Sequence, residues 1–92
     1  MTDKQATMTT IAPSGEVTTV AMPAAARPTL EALQAAVGGY IERVPGVMRE
    51  AYVDEDGSLR RLPPNPKGSA RVGFNGLLLG PVVILDGFDP EP

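Results

Sequence analysis

The sequence predicts an α+β fold, a small, twisted, mostly antiparallel sheet with one main helix packed on one face. Two β-prone runs near the N-terminus, TMTTIAP and EVTTVAMP, are joined by the turn sequence PSG. The segment TLEALQAAV carries apolar residues at helical spacing, and the segment LLLGPVVILDG is almost wholly apolar. The expected order of elements along the chain is therefore ββ-α-βββ-β.

The two N-terminal runs predict a hairpin over residues 7–12 and 16–21. Pro13 restricts φ at the start of the turn, and Gly15 can adopt the positive φ that a tight turn requires. The sequence PAAARP then separates this hairpin from the helix.

The chain is short enough for one domain, expected over residues 7–87, with flexible ends at 1–6 and 88–92. A domain of this size buries only roughly 60–65% of its unfolded surface. With two Tyr, two Phe and no Trp, its core must be aliphatic. The apolar strand at 77–85, which one helix does not fully cover, is a further reason to expect a homo-oligomer.

The main helix is predicted to begin after Thr29, which is a good N-cap residue. Glu31 in its first turn suits the positive end of the helix dipole. Leu30, Leu33 and Val37 are three and four residues apart, so they form one apolar face.

A pair of glycines, Gly38 and Gly39, decides where this helix ends. The apolar spacing alone continues through them, but each interior glycine costs about 1 kcal/mol relative to alanine. Pro45 disfavours helical geometry in the residue before it, and glycine after a helix is the usual left-handed cap. The helix is therefore predicted to end near Val37, and a strand to begin at Tyr40.

The second half of the chain is expected to hold further strands around an irregular loop. The segment VPGVMREAYVDEDGSLRRL predicts strand, Pro-Gly turn, strand, DEDG turn and strand, with Leu59 and Leu62 on the third. The segment PPNPKGSARVGFNG is expected to be a loop with room for one helical turn. Residues 77–87 predict a buried last strand, with Pro81 at a bend or an edge.

Residue types that the sequence lacks argue against catalysis. There is no cysteine, and therefore no thiolate nucleophile, disulfide or cysteine-based metal site. There is no histidine, which removes the usual general base and the commonest transition-metal ligand. The DEDG turn lacks the other acidic ligands of a calcium loop. We therefore expect no enzyme activity, no catalytic residues, no metal and no cofactor.

The charge distribution argues against duplex nucleic acid as a partner. The net charge is −3, and the six basic residues between 43 and 71 are interspersed with acidic ones. No apolar run approaches the roughly 20 residues that span a bilayer. The start MTDKQATMTT lacks the pattern of a secretory signal, so a cytoplasmic location is expected.

The candidate binding surface lies where the glycine pair meets the segment RRLPPNP. Two guanidinium groups beside a stiff loop can hold a small anionic ligand or a partner's carboxylates. The tyrosine after the glycines offers a face for stacking. The candidate binding residues are Gly38, Gly39, Tyr40, Arg60, Arg61 and Asn65.

Two alternatives stay open within this loop. Consecutive residues on a strand point to opposite faces, so only one of Arg60 and Arg61 can serve the site; Arg61, nearer the loop, is favoured. Asn65 either contributes to binding or closes the loop through hydrogen bonds from its side chain to the backbone. The carbonyl end of the preceding helix favours cations, so an anion would depend on the arginines.

Three segments in this order, LEALQAAVGGYIERV, YVDEDGSLRRLPPN and GLLLGPVVILDG, resemble the domain-of-unknown-function 3846 family of phages, plasmids and conjugative elements. Asp54, where the family pattern has Asn, and the short connection after Val44 depart from that pattern. The resemblance implies a mobile-element setting within the cytoplasm of a bacterial host and no established activity. The matching positions within residues 7–87 are Val37, Gly38, Gly39, Tyr40, Ile41, Glu42, Glu55, Gly57, Leu62, Pro63, Asn65 and Gly80.

Two functions are consistent with these features. The first is a non-enzymatic accessory protein that binds a host or element-encoded protein through a sheet edge or the RRLPPN loop. Inhibition of host defence is an extension of it that follows only from the setting the resemblance implies. The second is an oligomer that sequesters a nucleotide-like small molecule in pockets between subunits.

Overall fold

The computed structural model describes residues 4–90 and contains one five-stranded sheet with two helices. The strand order is β2-β1-β5-β4-β3, and neighbouring strands are antiparallel. The predicted α+β class and antiparallel sheet are confirmed. The elements are β1 (Gln5–Ile11), β2 (Val17–Pro23), α1 (Leu30–Val37), β3 (Ile41–Arg43), β4 (Glu50–Asp54), α2 (Pro66–Val72) and β5 (Val82–Asp86).

The N-terminal hairpin is longer than the sequence predicts. Strand β1 begins at Gln5, and Ala6 is only 2% exposed. The expectation of a flexible segment over 1–6 is therefore wrong for these two residues, because their backbones pair with the end of β2. Residues 1–3 lie outside the described part of the chain.

The end of the chain is also tied to the fold as far as Asp89. Phe88 packs against the core beneath α1. The Asp89 N–H donates to the Ala24 carbonyl at 2.9 Å, and Arg27 donates to the Asp89 carbonyl at 3.0 Å. The flexible C-terminus expected over 88–92 is therefore wrong for the first two residues, and 91–92 lie outside the described residues.

Helix α1 has the bounds that its sequence predicts. The Thr29 hydroxyl accepts a hydrogen bond from the Ala32 N–H at 3.1 Å, as an N-cap should. Gly38 adopts the left-handed conformation at φ 88°, and its N–H donates to the Gln34 carbonyl at 2.7 Å. The chain is extended again in β3, whose first residue is Ile41, one residue later than predicted.

The third strand predicted around Leu59 and Leu62 does not form. Residues 55–61 are consecutive turns, in which Arg60 N–H donates to the Asp56 carbonyl at 2.8 Å. Leu62 N–H donates to the Gly57 carbonyl at 2.9 Å. These local bonds satisfy the backbone without a sheet partner, and Leu59 is left 84% exposed. Arg60 therefore does not lie on a strand.

The segment expected to be an irregular loop contains the two-turn helix α2. Asn65 is its N-cap and accepts from the Gly68 N–H at 2.9 Å, while Pro66 occupies the first helical position. Gly73 ends the helix at φ 75°. The arrangement is therefore ββ-α-ββ-α-β, with a second helix that sequence analysis did not predict as an element.

Strand β5 lies at the centre of the sheet and is covered on both faces. Leu33 and Val37 of α1 pack against Val83 on one face, and Val72 of α2 packs with Val82 on the other. The strand is shorter than the predicted 77–87 and starts directly after Pro81. Val82 and Val83 are fully buried because the second helix covers the face that α1 leaves open, whereas Leu77, the first residue of the predicted apolar strand, is 59% exposed.

Asn65 is fully buried and joins three parts of the chain. Its side-chain amide donates to the carbonyls of Ile11 at 2.7 Å and Gly80 at 2.8 Å, while its oxygen caps α2. Its backbone N–H donates to the Leu78 carbonyl at 2.8 Å. Of the two interpretations of Asn65, the structure shows the one in which it closes the loop.

Replacement of Asn65 by alanine should lower the free energy of unfolding by about 3 kcal/mol. The change removes the helix cap and two hydrogen bonds to the carbonyls of Ile11 and Gly80. Urea denaturation measures the effect, with Asn75→Ala as a matched control at an exposed asparagine. Equal stability of the two variants would contradict this role.

A polar cluster connects the N-terminal half of the chain to β4. Arg27 and Glu50 form an ion pair in which both side chains are 19% exposed. The Tyr52 hydroxyl donates to Glu50 Oε2 at 2.7 Å. Burial raises the pKa of Tyr52 above its usual 10.0, and the hydrogen bond and negative charge of Glu50 raise it further.

This raised pKa predicts how stability changes in alkaline solution. The folded state holds the Tyr52 proton more tightly than the unfolded state, so the associated stability is present below pH 10.0. It is lost as the pH rises through the folded-state pKa. Urea denaturation across this range should show a smaller loss for Tyr52→Phe than for wild type. Tyr40→Phe, at an exposed tyrosine, is the control and should behave as wild type.

Candidate functional site

An open cleft of about 460 Å³ lies at the C-terminal end of α1. It forms where the glycine pair meets the turns that follow β4. Three of the six candidate binding residues line it, and a fourth, Gly38, adjoins it through a carbonyl that accepts from Arg60 at 3.1 Å. The lining residues are Gln34, Gly39, Tyr40, Asp56 and Arg60.

The two glycines have different roles. Gly38 ends the helix with a positive φ, and a methyl group built on it would meet nothing within 4 Å. A methyl group on Gly39 would instead lie 2.5 Å from Arg60 Nη1 and 2.6 Å from Asp54 Oδ2. Gly38 is therefore the predicted cap, whereas Gly39 leaves space for an ion pair to approach the backbone.

That ion pair joins Arg60 to the buried carboxylate of Asp54. The Asp54 side chain is 1% exposed, whereas that of Arg60 is 46% exposed. The other carboxylate oxygen, Oδ1, accepts from the Asp56 N–H at 2.8 Å and shapes the turn. A buried carboxylate needs such partners to remain charged, so Arg60 serves the fold as well as the cleft.

The charges that remain at the cleft favour a cation over an anion. Arg60 is compensated by Asp54, which leaves the Asp56 carboxylate on the cleft wall. The C-terminal end of α1 also points here, and its last turn contains no basic residue. The carbonyl end of a helix carries partial negative charge, which adds to that of Asp56.

Two of the candidate binding residues do not line the cleft. Arg61 is exposed, has a φ of 54°, and its backbone N–H donates to the Ser58 carbonyl at 3.1 Å. The strand geometry on which the preference for Arg61 depended is absent, and Arg60 is the arginine that reaches the glycines. Asn65 is buried, with its side chain bonded to the backbone.

Two of the lining residues, Gln34 and Asp56, are not among the binding residues predicted from sequence. Gln34 lies one turn before the helix end, where it lines the cleft and its carbonyl accepts from the Gly38 N–H. The Asp-x-Asp-Gly sequence indicates a turn in which the first carboxylate bonds to the backbone two residues later. That signal was available, but it locates a turn and not a cleft.

The described residues offer a surface for binding and no metal centre. Among residues 4–90, no group of three or more acidic side chains is placed to hold a metal ion. In the same part of the chain, neither helix has the length and apolar character to cross a membrane. Hydrogen bonding, ion pairing and contact with the Tyr40 ring are the interactions that the cleft can supply.

The fold and this cleft define a small α+β domain with an open cleft that Asp56 makes mildly acidic. Residues 6–91 match the model of the family described as a domain of unknown function (DUF3846), and the chain belongs to that family. The match extends over nearly the whole chain and confirms the predicted resemblance. No curated protein and no solved structure shows significant similarity to the chain.

Because Gly38 and Gly39 have different roles, their replacement by alanine should lower the free energy of unfolding by different amounts. Gly38→Ala should lower the free energy of unfolding by about 1 kcal/mol, because only the positive φ is strained. Gly39→Ala should lower it by about 2 kcal/mol, because the methyl group displaces Arg60 from a buried carboxylate.

A double-mutant cycle by urea denaturation tests the reason for the second cost. Arg60→Met removes the same ion pair, so its effect and that of Gly39→Ala should not add. The matched pair Gly38→Ala and Arg60→Met should be closer to additive. If the stability losses of Gly39→Ala and Arg60→Met add fully, Gly39 is not needed for the ion pair between Arg60 and Asp54.

Proposed function

We propose that this protein is a non-enzymatic protein-binding protein whose cleft receives a basic side chain of its partner. The observation that carries the proposal is a combination of three features at the cleft. They are the Asp56 carboxylate, which has no ion pair among residues 4–90, the 68% exposed ring of Tyr40 and the carbonyl end of α1. The absence of histidine and cysteine from the sequence supports a function in binding instead of catalysis.

An arginine side chain fits the chemistry of this cleft well. Its guanidinium can stack on the Tyr40 ring and donate hydrogen bonds to the Asp56 carboxylate. A cation–π contact at an exposed site contributes only about 0.5–1 kcal/mol. The cleft therefore supplies orientation and specificity, and the affinity depends on a larger interface around it.

The alternative function, sequestration of a nucleotide-like molecule, places a phosphate beside the same groups. Arg60 would have to share its single positive charge between the phosphate and the Asp54 carboxylate with which it is already paired. The remaining charge of Asp56 would repel the phosphate. These costs are the reason why a basic group of a protein is preferred here.

The proposal includes the setting that the family resemblance implies. The protein would act as an accessory factor of a phage or other mobile element in the bacterial cytoplasm, and its partner would be a host or element-encoded protein. Inhibition of a host defence system is one outcome of such binding. The support for this part is the implied setting alone, without a physical argument.

Affinity capture with cleft variants tests the proposal. Wild-type protein should retain a partner from a host lysate in stoichiometric amount. Asp56→Asn should lower its recovery about tenfold, and Tyr40→Ala should lower it about two- to fivefold. Leu30→Ala and Asp86→Asn are matched controls at exposed positions away from the cleft. Equal recovery with all five proteins would contradict a role for the cleft.

A melting screen distinguishes the two functions. A nucleotide at a hundredfold excess over its Kd adds roughly 2.7 kcal/mol of stability and raises Tm measurably. The protein-binding proposal predicts no such increase with nucleoside mono-, di- or triphosphates. A specific increase that Arg60→Ala abolishes, in a variant that still folds, would favour sequestration.

A further inference from the structure

We infer that the outer edge of β2 is a pairing surface for a second copy of this chain. Two β2 strands pair antiparallel about Thr19 and join the two five-stranded sheets into one continuous sheet. This interface is independent of the cleft, and it does not use the central strand from which sequence analysis expected self-association.

The two edges of the sheet differ in how they are protected. Strand β3 forms one edge, with only three residues, of which Glu42 and Arg43 are charged. Strand β2 forms the other edge, with seven residues and no charge, and six of the seven are exposed. Charges, proline, short length and bulges are the devices that keep edge strands from pairing. Among the described residues, β2 has one of these devices, the proline at its last position, Pro23, and nothing covers the outer side of the six residues before it.

The register of the hairpin identifies which backbone groups are free. The Ala24 N–H donates to the Lys4 carbonyl, and the Ala12 N–H donates to the Glu16 carbonyl, each at 2.9 Å. Hydrogen-bonded pairs alternate along an antiparallel ladder, so the even-numbered residues of β2 bond to β1. The odd-numbered residues therefore direct their N–H and C=O groups outward. Those with both groups free are Val17, Thr19 and Ala21.

The outward N–H and C=O groups of one β2 strand can pair with the same groups of a second β2 strand. When Thr19 lies opposite Thr19 of the second copy, Val17 lies opposite Ala21, and all three residues form complete hydrogen-bonded pairs. Pro23 has no N–H, so the ladder ends there without leaving an unused donor. A two-fold axis through Thr19 thus uses every free N–H and C=O from Val17 to Ala21.

The charges of the chain are also compatible with this pairing. Each copy carries a net charge of −3, so a stable contact must keep acidic residues apart. In the register about Thr19, Glu16 lies opposite the second copy's uncharged Met22. The two Glu16 residues are then about 20 Å apart along the strands, at about 3.4 Å per residue. Like-charge repulsion across the paired strands is therefore weak.

A charge-swap experiment at Thr19 tests the register directly, because this residue faces its own copy. Thr19→Lys and Thr19→Glu each place like charges opposite one another, and each should weaken dimerisation at least tenfold. An equimolar mixture should recover the dimer, since Lys then lies opposite Glu. Sedimentation from about 5 to 500 µM measures the mass, which for wild type should reach twice 9.6 kDa.

The matched control is Ala35→Lys and Ala35→Glu on the exposed side of α1, which should leave the wild-type dimer unchanged. A wild-type chain that stays monomeric throughout would overturn the proposal. Persistence of the dimer in folded Thr19→Lys would do the same, as would failure of the mixture to recover it when both variants fold.

If the Thr19 variants do not fold, amide hydrogen exchange on the wild-type protein tests the same pairing. The Val17, Thr19 and Ala21 amides should gain protection as concentration rises, whereas Thr18 and Val20, bonded to β1, should be protected throughout. Protection of the three outward amides only when a different protein binds would overturn self-pairing. It would show that a strand of that protein occupies the edge.

Discussion

The buried side-chain amide of Asn65 is the interaction on which both layers of the structure depend. Its two donors are used by the end of β1 and by the chain just before β5, and its oxygen caps α2. A buried amide is stable only when its polar groups are hydrogen-bonded. The end of β1, the chain before β5 and the start of α2 must therefore all be in place around Asn65. Helix α2 is thereby held over one face of β5 while α1 covers the other, which permits a central strand that is apolar on both sides.

The cleft depends in a similar way on the buried carboxylate of Asp54. One oxygen shapes the turn through the Asp56 N–H, and the other holds Arg60 against the helix end. Arg60, one of the two arginines predicted from sequence to bind a ligand, is thus engaged in the fold. The charge available to a ligand is that of Asp56, and this changes the expected partner group from anionic to cationic.

The parts of the fold that could be predicted from sequence are those with local signals. The cap at Thr29, the apolar spacing of α1 and the left-handed Gly38 lie within ten residues, and they located the helix correctly. Helix α2 has a cap, an initial proline and a final glycine. It is nevertheless short, and Gly68 and Ser69 weaken its helical pattern.

The misassigned residues depend on distant partners. The acceptors of the Asn65 amide lie 54 and 15 residues away in the chain, so no local pattern could distinguish a structural asparagine from a binding one. Arg60 pairs across six residues and reaches a carbonyl 22 residues away. Gly39 is required because of that contact, and the contact exists only after α1 and the turns have come together.

The cleft and the β2 edge lie at opposite sides of the sheet, so the two proposed surfaces can be used at the same time. The cleft adjoins Tyr40, directly before edge strand β3, whereas β2 is the opposite edge of the sheet. A dimer paired through β2 therefore leaves both clefts open, one at each end of the joined sheet. With neighbouring strands about 4.8 Å apart, the two clefts lie on the order of 40 Å from each other.

A partner with two basic sites at that spacing would bind with higher avidity than either cleft alone provides. Self-pairing would then strengthen the recognition of an oligomeric partner without adding any contact at the cleft.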